Sequence, residues 1–167
     1  MSDDSDSIDP TLPEVVQSFL RSGAHLEEIR LDHLGRWTHE GLDFENPRVV
    51  RLFFRSVDRT EGGTWVLRIG QFTYPILVED TGFFVEQVFW ELDPPEILLS
   101  DETREVLHVD TLQYEPEGRL YCFIKNQAFR ARFKRQAYHS IIDYLEEDDG
   151  EVFLVVGSHR KSLGPWA

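Results

Sequence analysis

The feature that most constrains how this chain can fold is an eight-residue pattern that it contains twice. Gly63-Thr-Trp-Val-Leu-Arg-Ile-Gly70 and Gly150-Glu-Val-Phe-Leu-Val-Val-Gly157 share two glycines at the same spacing, with an aromatic residue and aliphatic residues between them. A second match lies upstream of each copy, in Gly35-Arg36-Trp37 and Gly118-Arg119-Leu120. Because similarity at a fixed spacing indicates an internal repeat, the sequence predicts a duplicated unit with a period of roughly 85 residues.

Apolar spacing predicts the elements of each copy. In the first copy, apolar residues alternate across residues 29–39 around a polar turn, which is typical of a β-hairpin. Asn46-Pro47 then supplies a cap residue followed by proline, a common helix start. In the second copy, residues 112–122 align with 29–39 without a gap, and a helix is expected over about residues 134–145. A further strand pair ends each copy, so the predicted order is hairpin, helix, hairpin.

The predicted fold class is therefore α+β, with duplicated hairpin-helix-hairpin units and mostly antiparallel sheets. Asp93-Pro94-Pro95 is the predicted boundary between the units, and residues 146–150 are interpreted as an acidic break. Composition and pattern divide the chain into a disordered acidic tail (1–10), an N-terminal helix (11–23), a first repeat unit (29–92), a linker with an inserted hairpin (93–110) and a second repeat unit (111–167).

Charge and cysteine content narrow the classes of partner and cofactor. Thirty-one acidic and seventeen basic residues give a formal net charge of −14, which disfavours nucleic acid and anionic membranes as partners. The single cysteine, Cys122, excludes an intramolecular disulfide and a multi-cysteine zinc site. We expect no metal and no cofactor. The sequence shows neither a run of about 18 apolar residues nor a signal-peptide pattern, so a soluble, cytoplasmic protein is expected.

Residues 125–135 form a local basic stretch with five positive charges and no acidic residue. Arg130 and Arg132 alternate with apolar residues, which predicts a strand with one apolar and one basic face, and Lys134 and Arg135 follow at the predicted helix start. Guanidinium groups suit a phosphate or carboxylate ligand because they bind it through two parallel hydrogen bonds. The alternative is that these cations form internal ion pairs with carboxylates such as Glu79, Asp80 or Glu86.

The acidic pair Glu79-Asp80 lies at a predicted strand-to-turn junction. A carboxylate there either bonds its own turn backbone or orders Arg132 or Arg135. No nucleophile motif, metal-binding histidine pair or phosphate loop is present, so no catalytic residue is assigned. The predicted ligand-binding residues are Arg130, Arg132, Lys134, Arg135, Glu79 and Asp80.

Several short motifs follow one another in a set order: residues 35–41, 50–53 and 78–83 in the first half and residues 120–121, 131–138 and 157–164 in the second. Their order resembles domain-of-unknown-function family 1285, a family of uncharacterised bacterial proteins. This resemblance implies a duplicated core, a C-terminal half superficially like a pleckstrin-homology fold, and a ligand site between the halves for a nucleotide-like molecule in a signalling role. The chain departs from the family pattern at residues 71–75 and in a shortened polar stretch at residues 93–110.

Three functions are compatible with these patterns. The first is a non-enzymatic binding or signalling module that holds an anionic small molecule or an acidic peptide where its halves meet. The second is a hydrolase or transferase for a phosphate-bearing substrate, with Glu79 or Asp80 as the base. The third is a protein–protein adaptor whose sheet edges accept a partner strand. The oligomeric state is left open.

Overall fold

A computed structural model describes residues 7–165 of the chain. The fold is mixed α+β, with short helices and mostly antiparallel sheets, as the sequence predicts. Its chain divides into two compact units, Met1–Gly82 and Phe83–Ala167. None of the helices within residues 7–165 is both long and apolar enough to cross a membrane.

Unit 1 contains two helices and two small sheets. The elements are α1 (Glu14–Arg21), β1 (Ile29–Leu31), β2 (Trp37–His39), β3 (Leu42–Asp43), α2 (Pro47–Ser56), β4 (Val57–Arg59), β5 (Trp65–Ile69), β6 (Phe72–Pro75) and β7 (Leu77–Val78). The strand order is β3-β2-β1-β7 in the first sheet, where β1 and β7 are parallel, and β4-β5-β6 in the second sheet, which is antiparallel.

Helix α2 begins where the sequence predicts. The side chain of Asn46 accepts a hydrogen bond from the backbone N–H of Arg48 at 2.9 Å, which caps the helix before Pro47. The helix then buries Phe53 and Phe54 against Trp37, with ring centroids 5.3 and 5.7 Å apart in edge-on geometry. These aromatic contacts hold α2 against the predicted hairpin.

The predicted acidic tail differs from the structure at its last positions. Residues 1–6 lie outside the described residues, but Asp9 is held by three threonines of unit 1. Its carboxylate accepts hydrogen bonds from the hydroxyl groups of Thr11, Thr60 and Thr64 and from the backbone N–H of Thr11, at 2.5–2.8 Å. Asp9 is therefore part of the folded unit, whereas the sequence predicted disorder through residue 10.

Unit 2 contains one α-helix and two sheets. The elements are β8 (Phe83–Phe89), β9 (Glu96–Leu99), β10 (Arg104–Val106), β11 (Gln113–Glu115), β12 (Arg119–Ile124), β13 (Phe129–Phe133), α3 (Arg135–Ile141), β14 (Leu145–Asp148), β15 (Glu151–Val156) and β16 (His159–Pro165). The first sheet has six strands in the order β10-β9-β8-β13-β12-β11 and is antiparallel except between β8 and β13. The second sheet, β14-β15-β16, is antiparallel.

Helix α3 packs on the six-stranded sheet against β8 and β13. Ala131 of β13 and Ala137 of α3 are both fully buried, and their small side chains allow the helix and the sheet to approach closely. The α-helix ends at Ile141 and is followed by one 3-10 turn, Ile142–Tyr144. It is therefore shorter than the helix predicted over residues 134–145.

The boundary between the units differs from the predicted one. The sequence suggested Asp93-Pro94-Pro95, but the compact units divide between Gly82 and Phe83. The segment interpreted as a linker, 93–110, carries the predicted hairpin as β9 and β10, and this hairpin pairs with β8 inside the six-stranded sheet. The prediction of an acidic break at residues 146–150 is also wrong, because strand β14 occupies most of this segment and pairs with β15.

Both units contain three consecutive antiparallel strands, a helix and three more antiparallel strands. The hairpins around the matched glycines have the same register, because Leu31 pairs with Trp37 in unit 1 and Tyr114 pairs with Leu120 in unit 2. The helices are less alike than the hairpins: Arg51 lies in the middle of α2, whereas Arg135, about one repeat period later in the sequence, is the first residue of α3.

Candidate functional site

Strand β13 places three cationic side chains on one face of the six-stranded sheet. Arg130 lies opposite Phe123 and Arg132 opposite Tyr121, while Ala131 between them lies opposite Cys122 and points to the helix-covered side. Lys134, which follows the strand, lies over the ring of Phe84 and so continues the same face. We call Arg130, Arg132 and Lys134 the cationic row.

Carboxylates of unit 2 neutralise the two ends of the cationic row. Arg130 Nη1 lies 2.8 Å from Glu115 Oε1, and its guanidinium stacks 3.9 Å from the centroid of the Tyr121 ring. Lys134 Nζ lies 2.7 Å from Glu86 Oε1. Both pairs are about two-thirds buried, so these cations have a structural role on the sheet whether or not they contact a ligand.

Lys125, the first cation of the basic stretch, is used to hold a turn. Its Nζ lies 2.7 Å from Asp101 Oδ2, and its backbone N–H donates to the carboxylate of Glu105. Burial by itself raises the pKa of Asp101, but hydrogen bonds from Lys125 and Thr103 outweigh it, so the pKa is lowered overall. Lys125 therefore belongs to the scaffold of the β9–β10 hairpin.

Arg132 and Arg135 are the remaining cations of the predicted site. Arg132 is half-buried at the centre of the cationic row, flanked by Tyr121 and Phe84 on the neighbouring strands. Arg135 is exposed to solvent at the first position of α3. They lie on either side of the end of β13, at Phe133.

The predicted acidic residues belong to unit 1. Glu79 accepts hydrogen bonds from the backbone N–H and the Nδ1 of His33, both at 3.0 Å, and lies 3.6 Å from Arg30 Nη1. These hydrogen bonds from His33 hold the pKa of Glu79 below its usual value. Asp80 follows as a half-buried residue at the end of β7. Glu79 is thus engaged within its own unit, in contacts that the sequence did not predict.

A cavity of about 290 Å³ lies within unit 2, and no pattern in the sequence indicates that it exists. The helical spacing of Tyr138, Ile141 and Leu145 is typical of core residues and does not indicate a space between them. The cavity is lined by Tyr114, Leu120, Tyr138, Ile141, Ile142, Leu145, Glu146, Glu147, Val152, Leu163, Gly164 and Pro165. Most of its wall is apolar, and its charged lining residues are both glutamates.

Metal chemistry finds no support in the described part of the chain. Within residues 7–165, the His, Cys, Asp and Glu side chains form no cluster of three that could hold a metal ion.

Cys122 is fully buried, and burial, followed by the nearby Glu105, raises the pKa of its thiol to about 12. This thiol is therefore protonated and inert at neutral pH.

Comparison with solved structures confirms the predicted resemblance at the level of the fold. A DUF1285 family protein from Silicibacter pomeroyi superposes with a TM-score of 0.62 at 19% identity, over 83% of this chain and 80% of that one. A second DUF1285 family protein, from Shewanella baltica, superposes with a TM-score of 0.55 at 13% identity, over 71% of this chain and 92% of that one. No family model matches this chain, and no curated protein matches it.

Proposed function

We propose that this protein is a non-enzymatic binding module that holds an anionic small molecule at Arg132 and Arg135. The observation that carries the proposal is the geometry of the basic stretch: three cations on one sheet face, with Arg135 exposed directly beyond them. In a chain of net charge −14, such a concentration of positive charge is a local exception that favours an anion.

Arg130 and Lys134 pair with Glu115 and Glu86, and these ion pairs hold the cationic row in place on the sheet. Arg132 and Arg135 supply planar guanidinium groups, which suit phosphate and carboxylate through bidentate hydrogen bonds. A phosphorylated or nucleotide-like metabolite in a signalling role is the ligand class that we propose.

Thermal melting with a panel of nucleotides and phosphorylated metabolites tests the proposal. A ligand that binds the folded protein raises its melting temperature, and the shift grows with ligand concentration. We expect Arg132→Ala and Arg135→Ala to remove this shift while leaving the melting temperature without ligand close to that of the wild type. Higher ionic strength is expected to weaken the contact at the exposed Arg135.

Arg160→Ala is the matched control, because it removes the same charge from another sheet of unit 2. Arg160 pairs with Asp148 on the three-stranded sheet, so its loss should leave any ligand-induced shift unchanged. If no anion in the panel stabilises the wild type, and both arginine variants melt early without ligand, the arginines belong to the scaffold and the proposal is wrong.

We also propose that the two units arose by duplication and that unit 2 is pleckstrin-homology-like. The shared order of strands and helix supports the duplication, as does the common hairpin register around Gly35 and Gly118. The different positions of Arg51 and Arg135 along their helices count against a residue-by-residue repeat. Superposing unit 1 on unit 2 as separate bodies would test the proposal, which requires the matched hairpins to coincide.

Exposed apolar side chains on edge strands of unit 1 favour a second candidate, a protein–protein adaptor. Phe72 on β6 and Leu42 on β3 are 70% and 74% exposed, and both strands are at the edge of their sheets. Such an edge can accept a partner strand. A photo-crosslinking amino acid at position 72 should then give a defined adduct in cells, whereas one at position 68, on the central strand β5, should not.

The hydrolase alternative receives no comparable support. One of its two proposed bases, Glu79, has a pKa below the usual value because His33 donates hydrogen bonds to it, and a weaker base is a poorer proton acceptor.

A further inference from the structure

The cavity of unit 2 has a chemical character opposite to that of the cationic row. Its buried wall is formed by aliphatic side chains from three elements: Leu120 of β12, Ile141 of α3 and Val152 of β15. None of the twelve described lining residues is a lysine, arginine or histidine. Any charge that the lining presents to a ligand is therefore negative.

Glu146 and Glu147 both line the cavity, and the strand register indicates which of their side chains is on its side of the sheet. On β14, Leu145 lies opposite the buried Leu154, and Glu147 lies opposite the buried Val152, while Glu146 lies opposite Phe153. Because side chains alternate between the faces of a strand, Leu145 and Glu147 point to the side of the sheet that carries the cavity. Glu147 is also exposed to solvent, so its carboxylate lies at the mouth of the cavity.

Two tyrosines add neutral hydrogen-bonding groups to the cavity lining. Tyr114 is on β11 and Tyr138 on α3, and both line the cavity. Burial, followed by interactions with Tyr114 that include a side-chain hydrogen bond, raises the pKa of Tyr138 above its usual value. The hydroxyl group therefore remains protonated at neutral pH and can serve as donor or acceptor.

We propose that this cavity binds a compact apolar amine, with its hydrocarbon or aromatic body between Leu120, Ile141 and Val152 and its ammonium group at Glu147. The cavity volume of about 290 Å³ lies at the lower end of the range for ligand pockets, which limits the body to about the size of one bicyclic ring. The apolar wall provides affinity for the body, and the carboxylate at the mouth selects the charge. This site is separate from the anion site proposed at Arg132 and Arg135.

Three probes with the same ring and different charge test the proposal on the full-length protein: tryptamine, indole and indole-3-acetate. Isothermal titration calorimetry at low ionic strength should give the affinity order tryptamine, then indole, then indole-3-acetate. If indole-3-acetate bound as tightly as tryptamine, or more tightly, the proposal would be overturned, because the Glu147 carboxylate repels an anion. Absence of binding by all three probes at millimolar concentration would overturn it as well.

Variants then test whether the probes bind in the cavity and whether Glu147 selects the amine. Because an exposed ion pair contributes about 0.2–1 kcal/mol, Glu147→Gln should weaken tryptamine binding by about 1.4- to fivefold and leave indole binding unchanged. Asp143→Asn is the matched control, since it removes the same charge from the neighbouring 3-10 turn at a residue that does not line the cavity. Ile142→Trp, at an exposed position of the lining, should block all three probes.

Two further variants distinguish amine binding in this cavity from binding elsewhere on the chain. Arg132→Ala should leave tryptamine binding intact, and a loss would place the amine at the cationic row and overturn the proposal. Trp166 directly follows Pro165 in the sequence and carries the same ring as the probes. Trp166→Ala should preserve the order of affinities, whereas probes that bind only to this variant would identify the chain's own indole as the occupant and overturn the proposal.

Discussion

At the scale of single residues, Asp9 has a set of side-chain contacts that the sequence did not predict. Its carboxylate accepts four hydrogen bonds, and its partners Thr60 and Thr64 lie 51 and 55 positions further along the chain. The acidic composition around Asp9 favours disorder, and no local pattern identifies partners at such a distance. Contacts of this kind depend on the tertiary fold, so they could not be predicted from one sequence.

Replacing Asp9 with alanine should lower the stability in a pH-dependent way. Hydrogen bonds from Thr11, then from Thr60 and Thr64, hold the pKa of Asp9 below its unfolded value. A depressed pKa means that the stabilisation is present above the unfolded value near 4 and is lost as the pH falls below it. Melting curves of wild type and Asp9→Ala should therefore differ most at pH 7 and become progressively more similar as the pH falls below about 4.

Asp43→Asn, which changes an exposed aspartate on β3, is the control for net charge and should leave the melting temperature nearly unchanged at both pH values. Gly62→Ala provides an independent check, because a Cβ at this position would lie 1.9 Å from Asp9 Oδ1. We expect the effects of Gly62→Ala and Asp9→Ala to be non-additive in a double-mutant cycle. Fully additive effects would show that Asp9 does not occupy this position in solution.

Cys122 should be unreactive in the folded protein. The thiol is fully buried and its pKa is raised to about 12, so the reactive thiolate is scarce at neutral pH and inaccessible to reagents. Labelling with a disulfide reagent at pH 8 should be slow without denaturant and fast in denaturant. Rapid labelling without denaturant would mean that β12 opens locally, since Cys122 lies opposite Ala131 in the middle of the sheet.

At the scale of secondary-structure elements, prediction succeeded where the signal is local. Asn46-Pro47 marks the start of α2, and the alternation of arginine with apolar residues gives the two faces of β13. Strand β14 was missed because its acidic residues resemble a loop, and its pairing with β15 stabilises it in spite of low strand propensity. Glu86 was among the predicted partners of the basic stretch and pairs with Lys134, whereas Glu115, the partner of Arg130, was not predicted, because it lies on another strand.

The cap of α2 gives a quantitative prediction at this scale. Asn46→Ala removes the acceptor for the Arg48 N–H and should reduce the free energy of unfolding by about 1 kcal/mol. Urea denaturation measures this change. Asn46→Asp keeps an acceptor in place and is the matched control, which should stay within a few tenths of a kcal/mol of the wild type. Equal losses for both variants would rule out capping as the cause.

At the scale of the whole molecule, each sheet is complete within one unit, and this gives a prediction about fragments. A chain cut before Phe83 keeps all strands of both sheets of unit 2, whereas a cut at the predicted boundary near Pro95 removes β8 from the six-stranded sheet. We expect fragment 83–167 to melt cooperatively, as measured by circular dichroism, and fragment 95–167 to show no cooperative transition. An unfolded 83–167 fragment would show that unit 2 is not an independent folding domain.

The parallel pairing of β8 with β13 has a consequence for aggregation. This pairing joins strands that are far apart in the sequence, whereas every other pair of adjacent strands in that sheet is consecutive in the sequence. The β8–β13 pairing is therefore expected to form late in folding. Until it closes, β8 presents an open edge with the sequence Phe-Phe-Val-Glu-Gln-Val-Phe, which has high strand propensity, a single charge and no proline. Glu86, the partner of Lys134 in the folded sheet, is that charge, and so it also serves as a gatekeeper against intermolecular pairing while the chain folds.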